Sequence, residues 1–248
     1  MSNSKMIVDC VTFWLPKQGN APEEYEDAFS HNTFVPKPVE TFRCAVADGA
    51  TEASFSQAWA KILTKGYVEG FDLPKLQEAW RMQTTQQPLA WYAEEKAQMG
   101  AFAALVGLTI HSNKHWECRA IGDSCLIQVR NSKIIFTFPL GKAEQFSDTP
   151  FLLSSNEQNN QKIEEYWQTS DGLWKRHDVF LLLTDALAHW LFKQHEQSID
   201  ALSVLLALTE QESFSNFVDK ARNQTDPAKH MKNDDVTMLR AKVASAGK

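Results

Sequence analysis

Four short acidic signatures stand out in this 248-residue chain. Asp48-Gly49 follows the apolar run CAVA, and Gly122-Asp123-Ser124 follows a run ending at Ile121. Asp185 follows VFLLL, and Asp234-Asp235 precede VTMLRAKV. Each run has the length and the aliphatic, β-branched make-up of a strand. Four carboxylates therefore stand at the ends of four predicted strands, where a sheet can converge side chains on one point without opening its core. Hard divalent cations such as Mg²⁺ or Mn²⁺ want that arrangement: a few carboxylates, a backbone carbonyl and retained waters. Singly, Asp or Gly at a strand end is an ordinary turn residue. The signal lies in the four together.

Other chemistries fail on what they would need. No GxSxG elbow is present to carry a serine nucleophile. A cysteine-nucleophile phosphatase needs an Arg six residues after its Cys, and those positions hold Pro16, Ala50, Ser124 and Asn131. The four cysteines, Cys10, Cys44, Cys118 and Cys125, form no CxxC pair and sit in apolar runs, so they read as buried free thiols. His111 and His115 are four apart but flank a turn between strands, so they are not a metal pair on a helix.

The elements that must position the acids alternate along the chain. Strands are predicted over 6–13 and 41–47, then a helix over 51–66 whose Phe55, Trp59, Ile62 and Leu63 recur at helical spacing and which Gly66 closes. One or two further helices cover 73–98, interrupted near Pro88. Four short strands follow, over 102–111, 115–121, 125–130 and 133–138, joined by brief polar turns as in an antiparallel meander. The polar stretch 141–168 reads as a loop or flap. A continuous apolar strand at 179–183 leads into helices over 186–193, 199–208 and 213–221, and a last strand covers 236–243. This order favours antiparallel sheet packed by helices over a doubly wound parallel sheet. No linker or repeat divides the chain, so residues 1–248 are expected to form one domain.

The motifs VADGA, AIGDS, LLTDAL and DDVTMLRA, in that order, resemble those of the metal-dependent Ser/Thr phosphatases of the protein phosphatase 2C (PP2C) type. Upstream, Tyr25-Glu26-Asp27-Ala28-Phe29 resembles the acidic opening motif of that family. The resemblance spans about Glu26 to Val243. It implies a four-layer α-β-β-α sandwich, an α/β (α+β) fold with two central antiparallel sheets flanked by helices. It also implies a centre for two Mg²⁺ or Mn²⁺ ions, with a weaker third, at one end of the sandwich. By that resemblance Asp48 bridges both ions, Gly49 lends its carbonyl oxygen, and Asp185 and Asp234 complete the first ion's ligands. Glu26 serves the second ion, mostly through water, while Asp27 and Asp123 hold waters or the third ion. Two cations about 3.5–4 Å apart lower the pKa of a shared water for in-line attack on phosphorus. The implied activity is hydrolysis of phosphoserine and phosphothreonine on a phosphoprotein, a kinase or a kinase's target. The rival implication is a PP2C-like module that binds a phosphoprotein or regulatory partner without turnover.

Three departures from the family pattern stand out. Pro22 occupies the place of a phosphate-holding Arg, Ala50 that of a His after the Asp-Gly pair, and His189 that of a second Asp after LLTDAL. Within SDGLWKRHDVFLLLTDAL, Asp171-Gly172 looks more like the family motif, yet the polar residues before it supply no buried strand. Asp185 is therefore the expected ligand and Asp171 a decoy.

Composition sets the outer bounds. A net charge of −6 with scattered Lys and Arg argues against a nucleic-acid partner. No apolar run approaches the roughly 18–20 residues that span a bilayer, so no membrane partner is expected. The start, MSNSKMIVDCVTFW, lacks the basic-then-apolar form of a secretory signal, so the expected location is cytoplasmic.

Overall fold

Strand β1 (Met6–Leu15) is apolar on both faces, and that decides the architecture. Met6, Val8 and Cys10 point into one buried cluster, while Val11, Phe13 and Leu15 point into another. A strand whose two faces are both apolar must be covered on both sides. β12 (Val179–Leu183) repeats the pattern, with Phe180 and Leu182 on one side and Leu181 and Leu183 on the other.

The computed structural model describes residues 5–50, 55–85, 99–146 and 149–245. The remaining strands are β2 (Ala28–Phe29), β3 (Thr33–Phe34), β4 (Pro38–Val39), β5 (Thr41–Gly49), β6 (Phe102–His111), β7 (His115–Ile121), β8 (Cys125–Arg130), β9 (Lys133–Phe138), β10 (Leu153–Ser154), β11 (Gln168–Leu173) and β13 (Val236–Ser245). The helices are α1 (Ser56–Glu69), α2 (Leu73–Thr85), α3 (Ile163–Tyr166), α4 (Asp185–Glu196), α5 (Ala201–Ala207) and α6 (Gln211–Arg222). One sheet runs β3-β1-β13-β12-β8-β9, with β4 also on β1; the other runs β11-β7-β6-β5-β2, with β10 on β6. Every described pairing is antiparallel.

Three buried clusters fill the gaps between layers. Helices α4 to α6 pack on the outer face of the first sheet through Leu187, Leu191, Leu205 and Phe214. The facing sheets close over Cys44, Val106, Phe180 and Leu239. Helices α1 and α2 cover the second sheet through Trp59, Leu63 and Trp80. The result is the expected α-β-β-α sandwich. No helix among the described residues is long and apolar enough to cross a membrane.

Two expectations need correction. The four strands over 102–138 have the predicted bounds, but they are two hairpins in different sheets, because the chain crosses between sheets at Gly122-Asp123-Ser124. Gly66 does not end its helix. α1 continues to Glu69, and Gly66 instead lets α2 approach, since a Cβ there would lie 2.5 Å from Leu76. The predicted helical residues 51–54 and 86–98, Pro88 included, lie outside the described residues. The 141–168 stretch carries a 3₁₀ turn at Ala143–Gln145, β10, a second 3₁₀ turn and α3.

At the end of the first sheet remote from the acids, Asp178 is fully buried. It accepts from Arg130 at 2.8 and 2.7 Å, from the Gln128 amide at 2.8 Å and from the Lys175 backbone at 2.8 Å. Burial alone would raise its pKa, but these donors outweigh it and hold the carboxyl below its ordinary value. Arg130→Met leaves that charge without its ionic partner. The expected loss is about 3 kcal/mol in chemical denaturation, with partial recovery in the Arg130→Met/Asp178→Asn double variant.

Candidate metal centre

Five separate chain segments bring carboxylates to one end of the sandwich. Asp48 is the last residue but one of β5, and Asp123 sits in the turn that crosses between sheets. Asp185 is the first residue of α4, directly after β12. Asp234 and Asp235 immediately precede β13, and Glu26-Asp27 immediately precede β2. Each is delivered by the end of an element whose other residues lie in the core, so the acids share the rigidity of the sheets.

Asp48 is the hub. The charges of Asp27, Asp185 and Asp123 all act on its carboxyl. Burial first, and this repulsion second, push Asp48 well above the ordinary carboxylate range. Burial likewise raises Asp123, to about 7, with Asp185 adding to the shift. Such a cluster is unfavourable in the absence of positive charge.

Asp27 is 1% exposed. Its Oδ2 accepts from Thr184 Oγ1 at 2.9 Å and Thr237 Oγ1 at 2.7 Å, and Tyr25 hydrogen-bonds to Thr237 in turn. Its Oδ1 is buried with no hydrogen-bond partner. Burial raises its pKa strongly despite the two hydroxyl donors. A buried carboxylate oxygen without a donor, beside Asp48, Asp185 and Asp235, suits a site for a cation or its water.

Glu26 and Gly49 are neighbours. A Cβ at Gly49 would lie 2.6 Å from the Glu26 carbonyl and 3.1 Å from Ser56 Cβ, so only glycine permits this approach of backbones. Ser56 donates to Glu26 Oε1 at 2.7 Å and fixes its rotamer. Asp235 takes a different part from Asp234. Its two oxygens accept from the backbone N–H groups of Lys17 at 2.7 Å and Glu26 at 2.5 Å, so it pins the opening loop. Asp234 remains directed at Lys232, 2.7 Å away, and the same ammonium lies 3.6 Å from Asp185.

The oxygen-only donor set fits Mg²⁺ or Mn²⁺. Among the described residues, no three of these carboxylates bring donor atoms within 4.8 Å of one another. His189 lies one turn beyond Asp185, and burial followed by the nearby Lys193 holds its pKa below the ordinary imidazole value.

Sequence reasoning named the acids but not their supports. Thr184 and Thr237 lie inside LLTDAL and DDVT, where a hydroxyl close to the acid in sequence is the available signal. Ser56 and Lys232 carried no signal. Asp171 lies elsewhere, in edge strand β11, paired with Glu117 of β7.

Lys232 is the one cation in contact with two of the acids among the described residues. It therefore competes with any metal. Lys232→Met is expected to tighten Mn²⁺ binding roughly three- to five-fold, the worth of a partly exposed ion pair. Isothermal titration reads this directly, and weaker binding would mean that Lys232 supports the ligands.

A family model described as "Protein phosphatase 2C" matches residues 23–234. No curated protein sequence matches. Among solved structures, RsbX in complex with magnesium is 20% identical, with 96% of each chain covered and a TM-score of 0.52. The serine/threonine phosphatase PstP/Ppp of Mycobacterium tuberculosis is 15% identical over 95% of this chain and 98% of that one, with a TM-score of 0.62. The catalytic domain of PstP with two manganese ions is 13% identical over 96% and 99%, with a TM-score of 0.53. At these identities the likeness is one of fold.

Proposed function

The chain belongs to the protein phosphatase 2C family, and on that premise we propose that it is a metal-dependent hydrolase of phosphoserine and phosphothreonine in proteins. The observation that carries this reading is the convergence of Asp27, Asp48, Asp123 and Asp185, which repel one another and need a cation to coexist as charges. Two divalent ions bound there would lower the pKa of water and neutralise phosphoryl charge. Asp48 would bridge them, with Asp185 and Asp234 on one side and Glu26 and the Gly49 carbonyl on the other. Asp27 and Asp123 would hold coordinated waters or a weaker third ion.

The rest of the chain orients these groups. Ser56 holds Glu26, Asp235 pins the loop that carries it, and the Tyr25–Thr237–Asp27–Thr184 chain ties that loop to β12 and β13. Ala50 itself, after the Asp-Gly pair, offers no proton to the leaving serine oxygen, so a water would have to supply it. We take the 248 residues as one catalytic domain. The 141–168 stretch would be its flap, since Phe146 packs its ring 5.2 Å from that of His189, near Asp185. The buried thiols, all free, suit a reducing cytoplasm. The partner would be a phosphoprotein, a kinase or a kinase's target.

Pro22, in place of a phosphate-holding Arg, favours a second reading: a module that binds a phosphoprotein without turnover. One assay separates the two. Purified protein is given a phosphopeptide and an aryl phosphate with Mn²⁺, with EDTA, and as Asp48→Ala. Hydrolysis that needs metal and vanishes in the variant is expected. Equal background in all three arms would leave only the binding module.

A further inference from the structure

The far end of the second sheet carries a different kind of site. His111 ends β6 and His115 begins β7, so a four-residue spacing that fails on a helix puts the two imidazoles opposite each other across a hairpin. Glu117, two residues on, shares the face of His115. The His111, His115 and Glu117 donor atoms all lie within 4.8 Å of one another.

The nitrogens are sorted by their partners. His111 Nδ1 is 3.4 Å from Thr41 Oγ1, while its Nε2 is buried and makes no hydrogen bond. His115 Nε2 is 3.2 Å from Asp171 Oδ2, which assigns that nitrogen the proton and leaves Nδ1 bare. The two free nitrogens then face one oxygen: Glu117 Oε1 is 3.4 Å from His111 Nε2 and 3.6 Å from His115 Nδ1. Donors on a tetrahedral zinc ion, with bonds of about 2.0–2.2 Å, stand about 3.3–3.6 Å apart. An imidazole that ligates through one nitrogen and gives its other N–H to a carboxylate is the arrangement that fixes zinc ligands in place.

We infer that His111 Nε2, His115 Nδ1 and Glu117 Oε1 form a Zn²⁺ site with one coordination position open, oriented by Asp171 and Thr41. Two nitrogens and one oxygen select a borderline ion over Mg²⁺. The acids at the other end, all oxygen, select the reverse. The nine-residue strand β5 runs from one site to the other, on the order of 25 Å at about 3.3 Å per residue. The inference therefore stands whether or not the chain is a phosphatase.

The test is a Zn²⁺ titration of the full chain in excess Mg²⁺, comparing the wild type with His115→Ala, Asp171→Asn and Asp48→Asn. The wild type is expected to bind one more zinc than His115→Ala, and Asp48→Asn should keep that zinc. Asp171→Asn should bind it about 10- to 100-fold more weakly. Long-range ¹H–¹⁵N spectra of the wild-type imidazoles need no variant: zinc should shift His115 Nδ1 and His111 Nε2 and leave the partner nitrogens protonated. Equal zinc stoichiometry and affinity in the wild type and His115→Ala would overturn the assignment. So would imidazole spectra that zinc leaves unchanged.

Discussion

Asp48→Asn is expected to abolish metal-dependent turnover while making the metal-free protein melt at a higher temperature than the wild type. The two effects share one cause. Asp48 is raised by burial and then by Asp27, Asp185 and Asp123, so its ionised form is disfavoured in the folded chain without metal. Asparagine keeps the shape and hydrogen-bonding capacity and removes the charge. Relief of the repulsion should add about 1–2 kcal/mol, or roughly 2–8 °C for a domain of this length. Loss of the residue proposed to bridge both ions should remove about 4 kcal/mol of transition-state stabilisation, about a thousand-fold in rate. Calorimetry in EDTA and in saturating Mn²⁺ reads the first effect, and phosphopeptide assay the second. A variant that melts below the wild type in EDTA and still gains stability from Mn²⁺ would show that Asp48 is not at the centre of the cluster.

Asp48, Asp123 and Asp185 are legible because each follows a run whose own chemistry is unambiguous. VFLLL can only be a buried strand, so the residue after it must emerge at an edge of the core, and Asp185 does. The partition of strands between two sheets was not legible. β6 and β8 are buried on both faces, and a strand apolar on both sides has no period to say which layer it joins. Strand β11 was invisible for the opposite reason. QTSDGL is polar, with no residue of the run fully buried, and it becomes a strand only because β7 offers it an unpaired edge. That pairing brings Asp171 beside His115. The propensity of Gly66 argues for a stop, but its place is fixed by a neighbour, Leu76, that local sequence cannot show. Lys232 was equally silent, since an ammonium two residues before an acid is common on any surface. Local sequence could find the charges, and tertiary contact decided what balances them.

The metal-free protein is also expected to lose stability as pH rises from about 4 to about 7, and to regain it when Mn²⁺ is added. An unfolded Asp titrates near 3.9. Below that value both states hold the proton and the cluster carries no penalty. Above it the unfolded chain ionises freely, while folded Asp123 keeps its proton until about 7. Stability then falls with pH across that window, because the folded state binds more protons. For Asp123 alone, 8% exposed, the fall is up to about 4 kcal/mol. Asp27 and Asp48 are shifted in the same direction, and groups this close release their protons jointly. A divalent ion reverses the sign, since it binds the ionised cluster and expels those protons. Urea midpoints at several pH values, in EDTA and in saturating Mn²⁺, should diverge as pH rises, and Mn²⁺ affinity should climb over the same range. A flat profile in EDTA would mean that the carboxylates are already solvated apart, and the cluster would then have no need of a cation.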